Sequence, residues 1–232
     1  MVLVSPRNPL NIGAAARAMS NFGFLRLGVV NAYDVAFREA RSAVGASAVV
    51  ENAVEYSSIG EAVADCSVVV GTTAIGHRQL QHPLRRLEYG GRLIRRALAG
   101  ERVALLFGSE KFGLSNDDLS WCHWLIRIPT RDEHGTMNLG QAVAVCLYEL
   151  IRRPATGKPD PQKPSASAQI ERITEYLLDA LRQSGYARTR STPAKIRRLV
   201  RRLSIPEQEA EMWMGMLRQI VWKLKQSEGG LS

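Results

Sequence analysis

The sequence is short of several things, and each shortage argues against a class of protein. Cysteine occurs three times, at Cys66, Cys122 and Cys146. An odd number without metal-ligand spacing offers no disulfide framework and points to a reducing, cytoplasmic setting. The four histidines, His77, His82, His123 and His134, also lack ligand spacing, so no metal is expected. The longest apolar runs, residues 68–70 and 142–148, are too short to span a bilayer, and no membrane partner is expected. The first apolar segment stops at Pro6-Arg7, too early for a signal peptide. Neither G-x-G-x-x-G nor G-x-x-x-x-G-K-[ST] occurs, which argues against a dinucleotide-binding Rossmann turn and a P-loop nucleotidase.

What remains is a basic globular chain. Its 232 residues are 45% hydrophobic, enough to bury a core, and carry a net charge of +9 with a pI near 9.9, which favours a polyanionic partner. The charge is uneven. Residues 1–153 hold 17 Lys+Arg against 14 Asp+Glu, a balance of +3, whereas residues 154–232 hold 14 against 8, a balance of +6. Between them lies a stretch, 154–168, with four prolines and Gly, Ser and Lys, read as a stiff solvated linker. Two domains follow: 1–153 and 169–232.

In the first, apolar segments at 2–4, 25–30, 48–50, 54–56, 67–71 and 103–107 read as strands. Segments 11–22, 59–65, 92–99 and 114–121 read as helices. Strands alternating with helices predict an α/β fold, a parallel sheet covered by helices on both faces, with ligands beyond the carboxyl ends of the strands. A strand from His123 ends at Pro129, a polar loop follows, and Asn138 opens an apolar helix as its N-cap. The loop brings Gly135, Thr136 and Met137 to a helix N-terminus, where free N–H groups and the dipole favour an anion; an ordinary strand–loop–helix corner reads the same way. Thr72-Thr73-Ala74 and the segment 108–114 are the other two strand ends of interest, and Ser115 with Asp118 has capping-box spacing.

Three motifs in order, Asn11-x-x-x-x-x-Arg17, Phe107-Gly-Ser-Glu-x-x-Gly-Leu114 and Ile128-Pro…Thr136-Met-Asn-Leu-Gly-x-Ala142, resemble the SPOUT superfamily of RNA methyltransferases, TrmH/SpoU branch. The resemblance covers residues 1–153. It implies a trefoil knot, made by threading the last strand–loop–helix, with S-adenosylmethionine held there mostly by backbone. The implied cofactor positions are Thr72, Thr73, Ala74, Gly108, Ile128, Gly135, Thr136 and Met137; the implied catalytic set is Asn11, Arg17, Glu110, Thr136 and Asn138. Where the family commonly has Ser-Leu-Asn, this chain has Thr136-Met-Asn138, which keeps the hydroxyl. An obligate homodimer with the active site at the subunit border is implied as well. The family assigns Arg17 to the ribose hydroxyl; because an isolated guanidinium stays protonated, a positioning and electrostatic role fits it better than that of a base.

The second domain reads as three helices. The first, 169–184, is amphipathic. The next carries Ile196, Leu199, Val200 and Leu203 on one face, with Lys195, Arg197, Arg198, Arg201 and Arg202 crowding the rest; Arg188 and Arg190 precede it. These seven cations read as phosphate contacts to RNA. A helical domain after the knot resembles the tRNA 2′-O-methyltransferases of this branch that act on the anticodon-loop nucleotide at position 32. Expected is therefore an RNA ribose 2′-O-methyltransferase acting on tRNA. Ribosomal RNA as substrate and a knotted RNA-binding dimer without turnover stand as alternatives.

Overall fold

The structure is a computed structural model of the 232-residue chain; it describes residues 1–42, 48–74, 81–131, 133, 135–153, 164–187, 189 and 192–229. Seven strands form one sheet: β1 (Val2–Val4), β2 (Gly28–Val30), β3 (Val54–Tyr56), β4 (Val68–Thr72), β5 (Leu84–Arg86), β6 (Val103–Phe107) and β7 (Trp124–Arg127). Their order is β3-β2-β1-β6-β4-β7-β5. Every pairing is parallel. Parallel neighbours need long crossovers, and helices supply most of them: α1 (Pro9–Asn21), α2 (Asp34–Ser42), α3 (Ala48–Glu51), α4 (Ile59–Ala62), α5 (Leu87–Leu98), α6 (Asn116–Leu119) and α7 (Leu139–Ile151).

The period of two in the strands sorts the apolar side chains into two cores. Leu3, Val29, Val70, Leu105, Phe107 and Ile126 point to one face, where α1, α2, α3, α5 and α7 cover them. Val2, Val4, Val30, Val69, Ala104, Leu106 and Leu125 point to the other, under Ile59 and Val63 at α4 and Leu119 of α6. Helices thus lie on both faces of a parallel sheet. Close packing is built into the sequence at Gly140, where an added Cβ would sit 2.6 Å from the Ala14 Cβ, so α7 approaches α1 at that point.

Three further helices follow: α8 (Ser167–Gln183), α9 (Thr192–Arg202) and α10 (Glu207–Gly229). They share a core of Ile170, Ile173, Val200, Ile205, Ala210, Met214 and Leu217. They also dock on the second face of the sheet, where Ser167 N–H donates to Cys66 O (2.9 Å) and Ala168 N–H to Ala64 O (3.0 Å).

Several elements differ from the sequence reading. Residues 48–50 form the helical turn α3 rather than a strand; Val49 and Val50 are buried side by side, and a three-residue apolar window carries no period that separates the two. Helix α2, the edge strand β5 and the first turn of α5 were not expected. Gly90 and Gly91 look like breakers, yet they let α5 lie against the sheet: a Cβ on Gly90 would meet Ile126 Cγ2 at 2.5 Å. The expected linker is described from residue 164 on, and there it is bound: Ser165 is buried, with its N–H (3.0 Å) and hydroxyl (2.8 Å) both donating to Ile205 O. Finally, α9 is rolled. Leu199 and Leu203, expected inward, are half exposed, and Arg201 takes the interior place.

Candidate active site

The carboxyl ends of β4, β6 and β7 open into a cleft of about 400 Å³, within the range that holds a cofactor-sized molecule. All eight expected cofactor residues line it: Thr72, Thr73, Ala74, Gly108, Ile128, Gly135, Thr136 and Met137. Its apolar wall is Phe107, Leu114, Ile126, Leu139 and Ala142, with Ser109, Lys111, Phe112 and Thr130 joining them.

Local rules explain the walls. After β4, the Thr72 hydroxyl donates to Leu106 O (3.0 Å) and the Thr73 N–H to Ile126 O (3.0 Å), pinning this turn to both neighbouring strands. After β6, the chain folds back on itself: Gly113 N–H donates to Ser109 O (2.8 Å), and Phe112 N–H to Ser109 Oγ (3.2 Å). Gly113 has φ +66°, and a Cβ on Gly108 would lie 2.1 Å from the Gly113 carbonyl carbon. Only glycine fits at Gly108, and only glycine adopts the Gly113 conformation without strain. The turn α6 then starts from the expected capping box, Ser115 with Asp118. After β7, Asn138 caps α7, its side-chain oxygen accepting from Gly140 N–H (2.9 Å) and Gln141 N–H (3.4 Å).

Beside the cleft runs a polar chain. Glu110 accepts from the backbone N–H groups of Arg7 (3.2 Å) and Asn8 (3.3 Å) and from Asn11 Nδ2 (3.0 Å). Asn11 Oδ1 in turn accepts from Asn138 Nδ2 (2.8 Å). Three of the five expected catalytic residues are therefore wired together, and the N-terminus of α1 is tied to the β6 loop and to α7. Thr136 lines the cleft two residues away. Arg17 stands apart. It is exposed on α1, does not line the cleft and makes no hydrogen bond or ion pair with a described residue.

The expected phosphate contacts divide. Arg188 and Arg190 lie outside the described residues. Lys195 and Arg202 are exposed, and Arg198 is half-buried and hydrogen-bonded to Gln81. Arg197 and Arg201 are corrected: they are internal. Arg197 grips Glu171 through Nε (3.0 Å to each oxygen) and Nη2 (2.8 Å), donates to Ser120 Oγ (3.3 Å) and stacks 4.1 Å over the Trp121 ring. Arg201 is 0% exposed, 3.9 Å from Glu171, and donates to Ser167 Oγ (3.1 Å). Burial pulls its pKa down to about 10, against the opposing charge of Glu171. The cause of the correction is Glu171 on α8 and Trp121 in the turn after α6, which draw these cations inward; a charge pattern within α9 carries no trace of them. In the cleft, Ser109, Lys111 and Phe112 belong to the 108–114 strand end that the sequence reading singled out without giving them individual roles; the Gly108 and Gly113 pair was the signal that a tight loop stood there.

Among the described residues no group of three or more His, Cys, Asp or Glu side chains is arranged to hold a metal, and no helix is long and apolar enough to cross a membrane. Burial pushes Cys122 and Cys146 up to about 12, so both are inert packing groups.

Residues 1–148 match the SpoU rRNA Methylase family. Over 95% of its length the chain is 36% identical to the tRNA (cytidine/uridine-2′-O-)-methyltransferase TrmJ of Sodalis glossinidius, covering 90% of that protein. It is 33% identical to the protein of the same name from Pectobacterium atrosepticum, covering 95% of each. The crystal structure of TrmJ from Z. mobilis ZM4 superposes with a TM-score of 0.82 at 31% identity, over 94% of this chain and 97% of that one. A putative methylase family protein from Neisseria gonorrhoeae gives 0.63 at 29%, over 76% and 92%. With its first 148 residues matched to the family and relatives above 30% identity along almost its full length, the chain belongs to the SpoU rRNA Methylase family and is an RNA methyltransferase.

Proposed function

We propose that this RNA methyltransferase methylates the ribose 2′-oxygen of tRNA, at the anticodon-loop nucleotide at position 32, as a homodimer with S-adenosylmethionine in the cleft at β4, β6 and β7. The observation that carries the reading is the convergence of residues 72–74, Gly108, Ile128 and 135–137 on one cleft. That cleft fits the cofactor: glycine backbone edges stand beside apolar side chains, and Gly108 leaves no room for a side chain. Thr72, Thr73 and Ala74, Gly108, Ile128, and Gly135, Thr136 and Met137 would hold the cofactor, which when bound supplies a methyl group on a sulfonium. The tRNA substrate follows from the names of the relatives that align end to end with this chain.

The chain's own residues handle the nucleophile. A ribose hydroxyl is weak, so it must be aligned and its developing charge stabilised. Arg17 suits that task as a positioning cation. It does not reach its own cleft, which supports a partner subunit presenting it. The exposed residues of α1 and α7 include large apolar ones, Leu10 at 79% exposure with Val145, Tyr148 and Ile151, of the kind a covered subunit face uses. Asn11, Glu110 and Asn138 hold the N-terminus of α1 against the cleft rim. The knot is supported by topology: β7 inserts between β4 and β5, strands laid down before it. We assign residues 1–153 to the methyltransferase domain, 154–168 to the linker and 169–232 to the helical RNA-binding domain, with the linker's last residues anchored as described.

The deciding measurement is methyl transfer from labelled S-adenosylmethionine to total tRNA and to ribosomal RNA, with the product ribose mapped. Label at one anticodon-loop ribose is the expected result. Label in ribosomal RNA alone would sink the tRNA assignment and favour the second reading, which the family's rRNA name supports. Cofactor binding without any transfer would favour the non-catalytic binder. Arg17→Ala should abolish transfer and leave cofactor affinity intact; a parallel loss of cofactor binding would remove Arg17 from this role.

A further inference from the structure

A second basic surface lies on the opposite side of the β5 edge from α9, in a segment outside the expected RNA contacts. Residues 84–98 carry five arginines and one glutamate. Tyr89, Arg92 and Arg96 stand at intervals of three and four, which is one face of α5, and Arg85 precedes them in β5. Arg92 and Arg96 are exposed on α5, and Tyr89 is 45% exposed. Two guanidinium groups stand within cation–π distance of the Tyr89 ring, Arg85 at 5.3 Å and Arg92 at 5.2 Å from its centroid. Arg85 also lies 5.5 Å over Trp124, and its Nε is buried with no hydrogen-bond partner among the described residues. A shallow depression beside Tyr89, Arg92 and Arg96 completes the surface. The nearby carboxylates are already engaged: Glu88 with Arg86 (3.2 Å), and Glu149 beneath Arg95 (3.5 Å) and Arg152 (2.5 Å).

The position of this surface makes it continuous with the other. Arg198 of α9 is hydrogen-bonded to Gln81, and Arg198 and Arg202 stand close enough to His82 to depress its ionisation. Arg85 follows Gln81 by four residue steps, about 13 Å of extended chain. From Tyr89 to Arg96 the helix adds about 10 Å. Arg86 pairs in register with Arg127, whose neighbour Ile128 lines the cleft. The band therefore wraps the exposed edge of the sheet one strand away from the site.

We propose that Arg85, Tyr89, Arg92 and Arg96 form a second RNA-contact surface, Arg92 and Arg96 holding backbone phosphates and the exposed Tyr89 ring stacking an unpaired base. The chemistry favours RNA over an acidic protein: guanidinium groups interleaved with an exposed aromatic face serve both the phosphate and the base of a single strand. The inference rests on the RNA-methyltransferase reading and adds a surface to it.

The test measures binding of a tRNA transcript to the full chain across a salt series. Arg92→Gln with Arg96→Gln should lower affinity about tenfold at moderate salt and reduce the slope of log K against log[salt] by about 1.4–1.8, the value for two phosphate contacts. Tyr89→Ala should weaken binding about fivefold or more while Tyr89→Phe stays near wild type. Arg26→Gln with Arg38→Gln removes the same charge near the opposite edge of the sheet and should leave the slope unchanged. Cofactor affinity and melting temperature, unaltered in every variant, show that the fold is intact. An unchanged slope for the Arg92 and Arg96 variant, or an equal loss for the Arg26 and Arg38 variant, overturns the surface. Wild-type protein that binds no RNA overturns both this inference and the functional reading beneath it.

Discussion

Glu171→Ala should be among the most damaging single changes outside the cleft. Among the described residues its carboxylate is the one acid within ion-pair distance of the guanidinium groups of Arg197, at 2.8 Å, and the fully buried Arg201, at 3.9 Å. Arg201 keeps its proton at neutral pH even with its pKa lowered to about 10, so truncating Glu171 leaves a charge in the interior with Ser167 Oγ as its hydrogen-bond acceptor. Removing one partner of a buried pair costs about 3–5 kcal/mol, a large share of a total stability of roughly 5–15 kcal/mol. For a chain of this length each kcal/mol moves the melting point by about 2–4 °C, so the drop should be on the order of 6–20 °C. The exposed pair Lys225–Asp179, at 3.6 Å, is the internal standard, and Asp179→Ala should cost no more than about 1 kcal/mol. Urea unfolding followed by circular dichroism reads both, as a shift of the whole transition or of an early helical phase. If Glu171→Ala costs no more than Asp179→Ala, the buried cluster does not hold α8 and α9 to the sheet.

Three other outcomes can be checked. Gly108→Ala should lose cofactor binding, measured by calorimetry, because its Cβ cannot coexist with the Gly113 carbonyl 2.1 Å away; retained affinity would mean the loop can open at no cost. Asn138→Ala removes a helix cap and the bond to Asn11 together; it should cost about 1 kcal/mol of stability and lower the turnover rate more than the cofactor affinity. Stability should fall on acidification below neutrality. Burial lowers His82 to about 4 and His123 to about 3, so between pH 6.5 and 4 the unfolded chain takes up protons that the folded chain refuses. Each histidine then contributes up to about 1.4 kcal/mol per pH unit, and His123→Gln should flatten urea midpoints measured from pH 4.5 to 7. An unaltered slope would mean that His123 titrates normally.

The parts of this structure that were legible in the sequence are those where one short segment decides its own conformation. Gly108 and Gly113 announced a tight turn, Ser115 and Asp118 a capping box, Asn138 a cap, and all three were found where the residues stood. The buried strands β4 and β6 were equally plain, being apolar without a break. Elements decided by their neighbours were not legible. Residues 48–50 have strand composition, yet β3 already occupies the edge beside β2. The roll of α9 was misread for the same reason: a count of apolar residues gave Leu199 and Leu203 the interior, while Trp121, far away in sequence, drew Arg197 and Arg201 there instead. Hydrogen bonds linking Glu110, Asn11 and Asn138 join residues about a hundred positions apart; the motifs named their members, but only the fold shows that they touch.

The slot that β7 fills between β4 and β5 also sets a timetable. Val70 finds its partner at Trp124, and Asn11 waits for Asn138. On a ribosome adding about 5–20 residues per second, roughly 4–15 s pass between the end of β4 and the end of α7. Until β7 is made β4 exposes an unpaired edge, and until α7 follows the cleft lacks the wall of Ile128, Gly135, Thr136, Met137, Leu139 and Ala142. A nascent chain therefore has no complete cleft until its last strand and helix are made, and the insertion of β7 is the step on which closure of the sheet waits.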